Sequence, residues 1–303
     1  MVEQDRMTGL IIKSLAGQYT VISDDVLAGR PVICTPRGVF RRQGVFPMVG
    51  DKVSFSAGSE GAGVLEALFP RKNSLVRPPL ANLDLLVQVV SAEAPAPNTL
   101  VIDKVAAITE MAGIQPVIVI NKTDLAESET LATVYRNAGF PVVLTSCAEG
   151  DPAALLETIT GKISAFVGNS GVGKSSLLNL ILPTQTLSTG EISKKLGRGR
   201  HTTRHVELFP LSGGGYVADT PGFSMVDIAR YGLLDKRRLP EGFREFAPYI
   251  GECQFVSCSH TVEQGCAVLA ALADGKIGQS RHDSYRRMYD EIKDIPEWQN
   301  TKR

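Results

Sequence analysis

One run of residues has types and spacing that imply a defined chemistry: Gly168-Asn169-Ser170-Gly171-Val172-Gly173-Lys174-Ser175, an instance of G-x-x-x-x-G-K-S. Glycines let the backbone wrap round phosphate oxygens with its N–H groups turned inward, and the start of a helix adds positive potential there. Lys174 reaches the β and γ phosphates, Ser175 is a ligand for Mg²⁺, and Ser176 completes the phosphate-side set. The apolar run Ile163 to Val167 precedes the loop and the helical stretch Ser175 to Leu182 follows it, so both flanks are those of a phosphate-binding loop.

A second motif, Asn121-Lys122-Thr123-Asp124, follows the apolar strand-like run Pro116 to Ile120 and resembles the NKxD motif that reads guanine in GTPases. There the carboxylate pairs with the N1–H and 2-amino group of guanine. Adenine offers neither donor, so Asp124 selects G over A while Lys122 lays its methylene stem along the base. A third element, Asp219-Thr220-Pro221-Gly222, follows Tyr216-Val217-Ala218 and resembles the DxxG switch motif, with Asp219 reaching Mg²⁺ through water and the Gly222 N–H meeting the γ phosphate. The turn Thr145-Ser146-Cys147-Ala148 either supplies a backbone N–H to guanine O6 or is a plain strand end. Ordinary GTPases run phosphate loop, switch motif, NKxD. Here the base motif precedes the other two, so the domain is expected to be circularly permuted.

Cys253, Cys258, His260 and Cys266 form C-x₄-C-x-H-x₅-C, four soft ligands that suffice for a closed tetrahedral, structural Zn²⁺ site. Cys34 and Cys147 stand apart from that cluster, and the count of five cysteines suits a metal site in a reducing compartment better than paired disulfides.

These motifs need a scaffold. At 303 residues the chain is long enough for two domains, or three small ones, and 43% hydrophobic with 21% charged residues excludes disorder and rod-like repeats. Thirty-two basic residues balance thirty-two acidic ones, so any nucleic-acid surface must be a local segregation of charge. Glu3 and Asp5 stand where a secretory signal would be basic, and no run reaches the length of a membrane helix, which predicts a cytoplasmic protein with no membrane partner.

Short strands are expected at Leu10 to Ile12, Tyr19 to Ile22, Pro31 to Cys34, Val39-Phe40, Lys52 to Phe55 and Gly63 to Glu66, the pattern of an OB-like β-barrel. Arg37, Arg41, Arg42 and Lys52 among them are either an RNA-facing set or ordinary solvated charge. From Asn82, apolar runs (Leu83 to Val90, Pro116 to Ile120, Phe140 to Leu144, Ile163 to Val167) alternate with helical stretches such as Thr99 to Met111, which predicts a parallel sheet covered on both faces. Beyond Arg230 the Cys/His cluster and a polar tail predict a small, metal-stapled, mostly helical piece with little core of its own. The expected domains are 1–73, 74–230 and 231–303.

The barrel start with Val49-Gly50-Asp51-Lys52-Val53, the permuted motifs NKTD, GNSGVGKSS and DTPG, and the Cys-Cys-His-Cys tail together resemble the bacterial RsgA family of ribosome small-subunit-dependent GTPases. The resemblance implies an α/β, circularly permuted P-loop GTPase domain between an N-terminal OB-fold and a C-terminal zinc-binding domain. It also implies action late in maturation of the 30S subunit, with contacts to 16S rRNA and release driven by GTP hydrolysis to GDP; a monomer is expected. The stretch Gly197 to Thr203 looks like the family's switch I, which puts the magnesium-binding threonine at Thr203, with Thr202 as the alternative. The basic segment Lys194 to His205 is then expected against rRNA phosphates, or as a solvated loop in the free protein. Phe223 stands where Ras-like GTPases carry the water-orienting glutamine. That leaves His201 as the expected catalytic group beside Lys174 and Thr203, unless it is an RNA-facing or exposed histidine. Competing readings are an RNA-binding module with a structural nucleotide, a P-loop phosphotransferase or ATPase, and a large-subunit GTPase; NKTD and the flanking domains weigh against the last two.

Overall fold

The computed structural model describes residues 6–25, 31–57, 62–182, 206–219 and 235–295. His201, Thr202, Thr203, Gly222, Phe223 and the basic segment Lys194 to His205 lie outside the described residues, and Asp219 is described only as backbone. The chain divides into two compact units, one of Met1–Leu85, Leu156–Phe166 and Ile181–Phe223, the other of Leu86–Leu155, Val167–Leu180 and Ser224–Arg303.

In the first unit five strands close on themselves: β1 (Arg6–Leu15), β2 (Gln18–Ser23), β3 (Val32–Pro36), β4 (Lys52–Ala57) and β5 (Ala62–Leu68). β1 pairs antiparallel with β2 and β4, β2 antiparallel with β3, β3 parallel with β5, and β5 antiparallel with β4. The inner residues Ile11, Val21, Cys34, Val53, Phe55 and Leu65 are fully buried, as closure of a small barrel requires. The expected strand at Val39-Phe40 is instead a turn of helix, α1 (Gly38–Arg42), in which Phe40 alone is buried. Two apolar residues carry no period, so alternation was never tested there.

A two-stranded ribbon, β6 (Ser74–Leu75) and β7 (Leu80–Ala81), joins this barrel through polar groups. The buried carboxylate of Asp51 accepts from Arg71 Nε at 2.6 Å and Nη2 at 2.8 Å, and from the Met48 N–H at 2.7 Å. Gly50 adopts φ +90°, and a Cβ there would stand 2.1 Å from the Ala81 carbonyl oxygen. That approach and the left-handed backbone both demand glycine. The unit also holds most of β11 (Ile163–Gly168), with β13 (Tyr216–Asp219) parallel to it and β12 (Glu207–Pro210) antiparallel to β13. β1 meets β12 at Lys13 and Glu207, whose side chains bond at 2.9 Å.

In the second unit β8 (Leu85–Ser91), β9 (Gln115–Asn121) and β10 (Val142–Thr145) run in the order β10–β9–β8, with β10 parallel to β9. β8 is buried along its whole length, as a strand covered on both faces must be. Its helices are α2 (Thr99–Met111), α3 (Glu129–Asn137), α4 (Ala153–Ile159, shared with the first unit), α5 (Lys174–Ile181), α6 (Ala267–Ala273) and α7 (Gln279–Ile292). The tail reads as polar, yet α7 buries Arg281, His282, Ser284, Tyr285, Met288 and Ile292. Tyr285 packs edge-on against Phe243, with ring centroids 5.2 Å apart, and Gly242 lets the 3₁₀ turn Leu239–Gly242 approach Ala107 of α2.

Arg281 is the charge at the centre of this packing. It donates to Asp103 of α2 at 2.6 Å and to both carboxylate oxygens of Glu245, at 2.7 and 3.2 Å, and its guanidinium lies 4.6 Å from the Phe243 ring centre. Burial pushes the Asp103 carboxyl up, against the pull of Arg281. Removing the cation strands two buried carboxylates, so Arg281→Met should destabilise the protein by about 3–5 kcal/mol. A thermal unfolding midpoint equal to wild type would show that the pair contributes nothing.

Candidate functional site

The phosphate-binding loop forms where β11 ends. Gly171 and Gly173 take φ +86° and +92°, a left-handed backbone that glycine adopts without strain, and Lys174 begins α5. A Cβ on Gly168 would lie 2.9 Å from the Val89 carbonyl oxygen, so this glycine permits close approach to β8. Ser175 and Ser176 are exposed at the helix start.

The base motif sits against this loop through one amide. Asn121 is 1% exposed, and its Nδ2 donates to the Val172 carbonyl at 2.8 Å. A Cβ on Gly173 would come within 2.1 Å of that same nitrogen, so the contact is open only to glycine. Asn121 Oδ1 in turn accepts from Cys147 Sγ at 3.4 Å. The Asn121 side chain is thereby spent on joining two loops 51 residues apart in sequence.

Asp124 is exposed, and one of its oxygens accepts from Ser146 Oγ at 2.6 Å. Ser146 is buried and its Oγ accepts from the Ala148 N–H at 3.2 Å, which aims the hydroxyl. The sequence placed the Thr145 to Ala148 turn near the base but carried no sign of this hydroxyl clamp. Thr123 holds the same turn, its N–H and Oγ1 both donating to the Thr145 carbonyl at 3.3 and 3.2 Å. Lys122 takes φ +65°, and its Nζ donates to the Ala94 carbonyl at 2.5 Å. Burial raises the pKa of Cys147. In the first unit, the Asp219 backbone closes β13 in register with Phe166.

The Cys/His cluster is assembled at the start of α6. Cys253 Sγ lies 3.9 Å from Cys266 Sγ, and His260 Nδ1 lies 3.5 Å from each; with Cys258, all four ligand atoms fall within 4.8 Å of one another. A tetrahedron with bonds of about 2.3 Å to sulfur and about 2.05 Å to nitrogen has edges of about 3.8 and 3.6 Å. The donor set and its spacing therefore fit a tetrahedral cation. The N–H groups of Ala267 and Leu269 point at Cys253 and Cys266 Sγ, at 3.3 and 3.5 Å, as they do toward thiolates. His260, at φ +58°, is fixed from behind: His282 Nε2 donates to its carbonyl, and Tyr285 Oη to the Ser259 carbonyl, each at 2.8 Å. Burial pushes Cys258 up to about 12 and raises Cys266, while it lowers His260.

Comparison with known proteins follows this geometry. The family described as RsgA GTPase matches residues 68–229, and that described as RsgA N-terminal domain matches residues 8–65. A protein named small ribosomal subunit biogenesis GTPase RsgA from Caldanaerobacter subterraneus subsp. tengcongensis is 42% identical over 295 residues, covering 96% of this chain and 97% of its own. The protein of the same name from Geobacillus sp. (strain WCH70) is 44% identical over 293 residues, covering 94% and 97%. Among solved structures, YjeQ from Thermotoga maritima superposes with a TM-score of 0.80 at 34% identity, over 96% of this chain and all of that one. YloQ, described as a circularly permuted GTPase, does so with 0.81 at 33% identity, over 98% of each chain. Among the described residues no helix is long and apolar enough to cross a membrane.

Thiols with raised pKa must lose their protons to bind a cation, so affinity for added zinc should rise with pH across the neutral range. Competition with a chromophoric chelator from pH 6 to 8 reads this directly. Cys258→Ser should lower the zinc content measured by elemental analysis. Affinity independent of pH, or full content in Cys258→Ser, would remove these thiols from the site.

Proposed function

This chain belongs to the RsgA GTPase family, and on that premise we propose that it binds the small ribosomal subunit in its GTP form, acts late in that subunit's maturation, and leaves on hydrolysis. The observation that supports the nucleotide reading is the Asn121 amide on the Val172 carbonyl, which joins the Asn121 to Asp124 loop to the Gly168 to Ser175 loop. The nucleotide set is Asn121, Lys122, Thr123 and Asp124 for the base and its loop, and Gly168 through Ser176 with Asp219 and Gly222 for the phosphates. Ser175 and Thr203 hold Mg²⁺. The cation of Cys253, Cys258, His260 and Cys266 is structural zinc: four protein ligands leave no open position for substrate. The functional division is 1–73 for RNA, 74–230 for GTP and 231–303 for zinc, in a cytoplasmic monomer.

The ribosomal part of the proposal is supported by the relatives, which carry the name small ribosomal subunit biogenesis GTPase at about two identities in five. Sedimentation with separated 30S and 50S particles in a GTP analogue and in GDP tests it. Pelleting with 50S alone, or equally in both nucleotides, would overturn it.

Asp124→Asn tests the base assignment. An amide oxygen can accept from only one guanine donor, without the charge, while its NH₂ is left facing the other; that NH₂ can instead donate to the C2 carbonyl of xanthine. The variant should lose GTP affinity by tenfold or more, on the order of 1.4 kcal/mol, and gain xanthosine triphosphate affinity. An unchanged preference measured by titration would sink the assignment.

Catalysis lacks the usual glutamine, since Phe223 cannot hydrogen-bond the attacking water, so intrinsic turnover should be slow. We assign that task to His201. His201→Ala should abolish most of the 30S stimulation of phosphate release while GTP-dependent 30S binding stays near wild type. Equal stimulation of both proteins would place the water-orienting group elsewhere.

A further inference from the structure

Ser91 is the last residue of β8 and is fully buried, and the nucleotide reading gives it no role. Its Oγ donates to the Ala94 carbonyl at 3.1 Å and accepts from the Glu93 N–H at 3.3 Å, closing the turn that follows the strand. The Ala94 carbonyl is also the acceptor for Lys122 Nζ. One peptide oxygen therefore receives both the serine hydroxyl and the ammonium of the base motif.

The rest of the loop is pinned on three sides. The Ala92 N–H donates to the Asn121 carbonyl at 2.8 Å, immediately before Lys122. At the far end Asn98 caps α2, its side chain accepting from the Val101 N–H. Between them Pro95 Cδ lies 3.6 Å from the point a Cβ on Gly171 would occupy, so the loop also borders the phosphate cradle. The bond from Ser91 Oγ helps fix the orientation of the Ala94–Pro95 peptide plane.

We propose that Ser91 is a positioning residue for guanine recognition: by fixing the Ala94 carbonyl it anchors the Lys122 ammonium, and so holds the lysine stem where the base stacks. A flexible four-carbon stem makes a defined face only when its end is tethered. The hydroxyl supplies the tether's fixed point without touching nucleotide. This inference rests on the guanine reading of Asn121 to Asp124.

The test is a double-mutant cycle on binding of a fluorescent GDP analogue. Ser91→Ala should weaken binding about fivefold, the effect of one modest hydrogen bond. Ser91→Thr, which keeps the hydroxyl, should restore most of it. In a Lys122→Ala background, Ser91→Ala should cause little further loss, because the group it positions is gone. A merely structural serine would give the same fractional loss in both backgrounds, and that additivity would overturn the proposal, as would wild-type affinity in Ser91→Ala. Should Ser91→Ala not fold, Ser91→Cys, with a weak donor of near-equal size, takes its place in the same cycle. If wild type shows no preference for guanine over adenine nucleotides, the underlying reading has failed. If that preference stands and the cycle is additive, only the role of Ser91 has.

Discussion

A single buried amide sets what the nucleotide-binding half of this protein can be. Asn121 leaves the end of β9 and donates to a carbonyl of the phosphate-binding loop, in space that exists because Gly173 has no side chain. Any residue larger than glycine would push the two loops apart, and any apolar residue at 121 would strand the Val172 carbonyl in a buried setting. Around that bond the neighbouring contacts fall into place: Cys147 against the amide oxygen, Ser146 on Asp124, Thr123 on the Thr145 carbonyl, Lys122 on Ala94. Each links the carboxyl ends of adjacent strands, where an α/β sheet binds its ligands. A permuted chain order leaves this edge intact, because the edge depends on which strands are neighbours and not on the order in which they are made.

The C-terminal residues are part of the same compact unit as the base motif and the phosphate loop. They carry two kinds of restraint. The Arg281 cluster is a buried charge network whose members are each costly alone, so α2, α7 and a second 3₁₀ turn, Arg244–Tyr249, which bears Glu245, are held in one arrangement. The Cys/His cluster lies in a loop whose Phe255, Val256 and Val262 are all exposed, so burial does little to hold it, and α7 reaches it through His282 and Tyr285. One helix, α7, thus both packs into the unit and braces the Cys/His cluster, which couples the stability of the cluster to that of the unit.

The N-terminal barrel solves a different problem, that of fastening a short ribbon that buries little surface. Asp51 with Arg71, the left-handed Gly50, and Asn82 Nδ2 on the Gly50 carbonyl at 2.8 Å make the join polar and specific in register. This accounts for the Val49-Gly50-Asp51-Lys52-Val53 signature: its glycine meets the ribbon at Ala81, its aspartate holds Arg71 ahead of the ribbon, and Val53 is fully buried in the barrel.

Whatever depends on a few adjacent residues can be read from the chain alone. The phosphate loop was legible because glycine is the residue for positive φ at Gly171 and Gly173, α2 because its apolar residues recur over 13 positions, and the cation cluster because thiols and imidazole at short spacing have few other uses. The motif order alone announced the permutation. Tertiary structure decided what depends on residues distant in the chain. β12 exists through its pairing with β13 and β1, and its four residues carry no period of their own. Val39-Phe40 became helix because two residues cannot express an alternation. Arg281 and His282 read as surface because charge and polarity are written in the sequence, whereas the partners that allow a charge to be buried are not. Ser91 and Ser146 were silent for the same reason: a hydroxyl acquires its function only when folding brings an acceptor within about 3 Å of it.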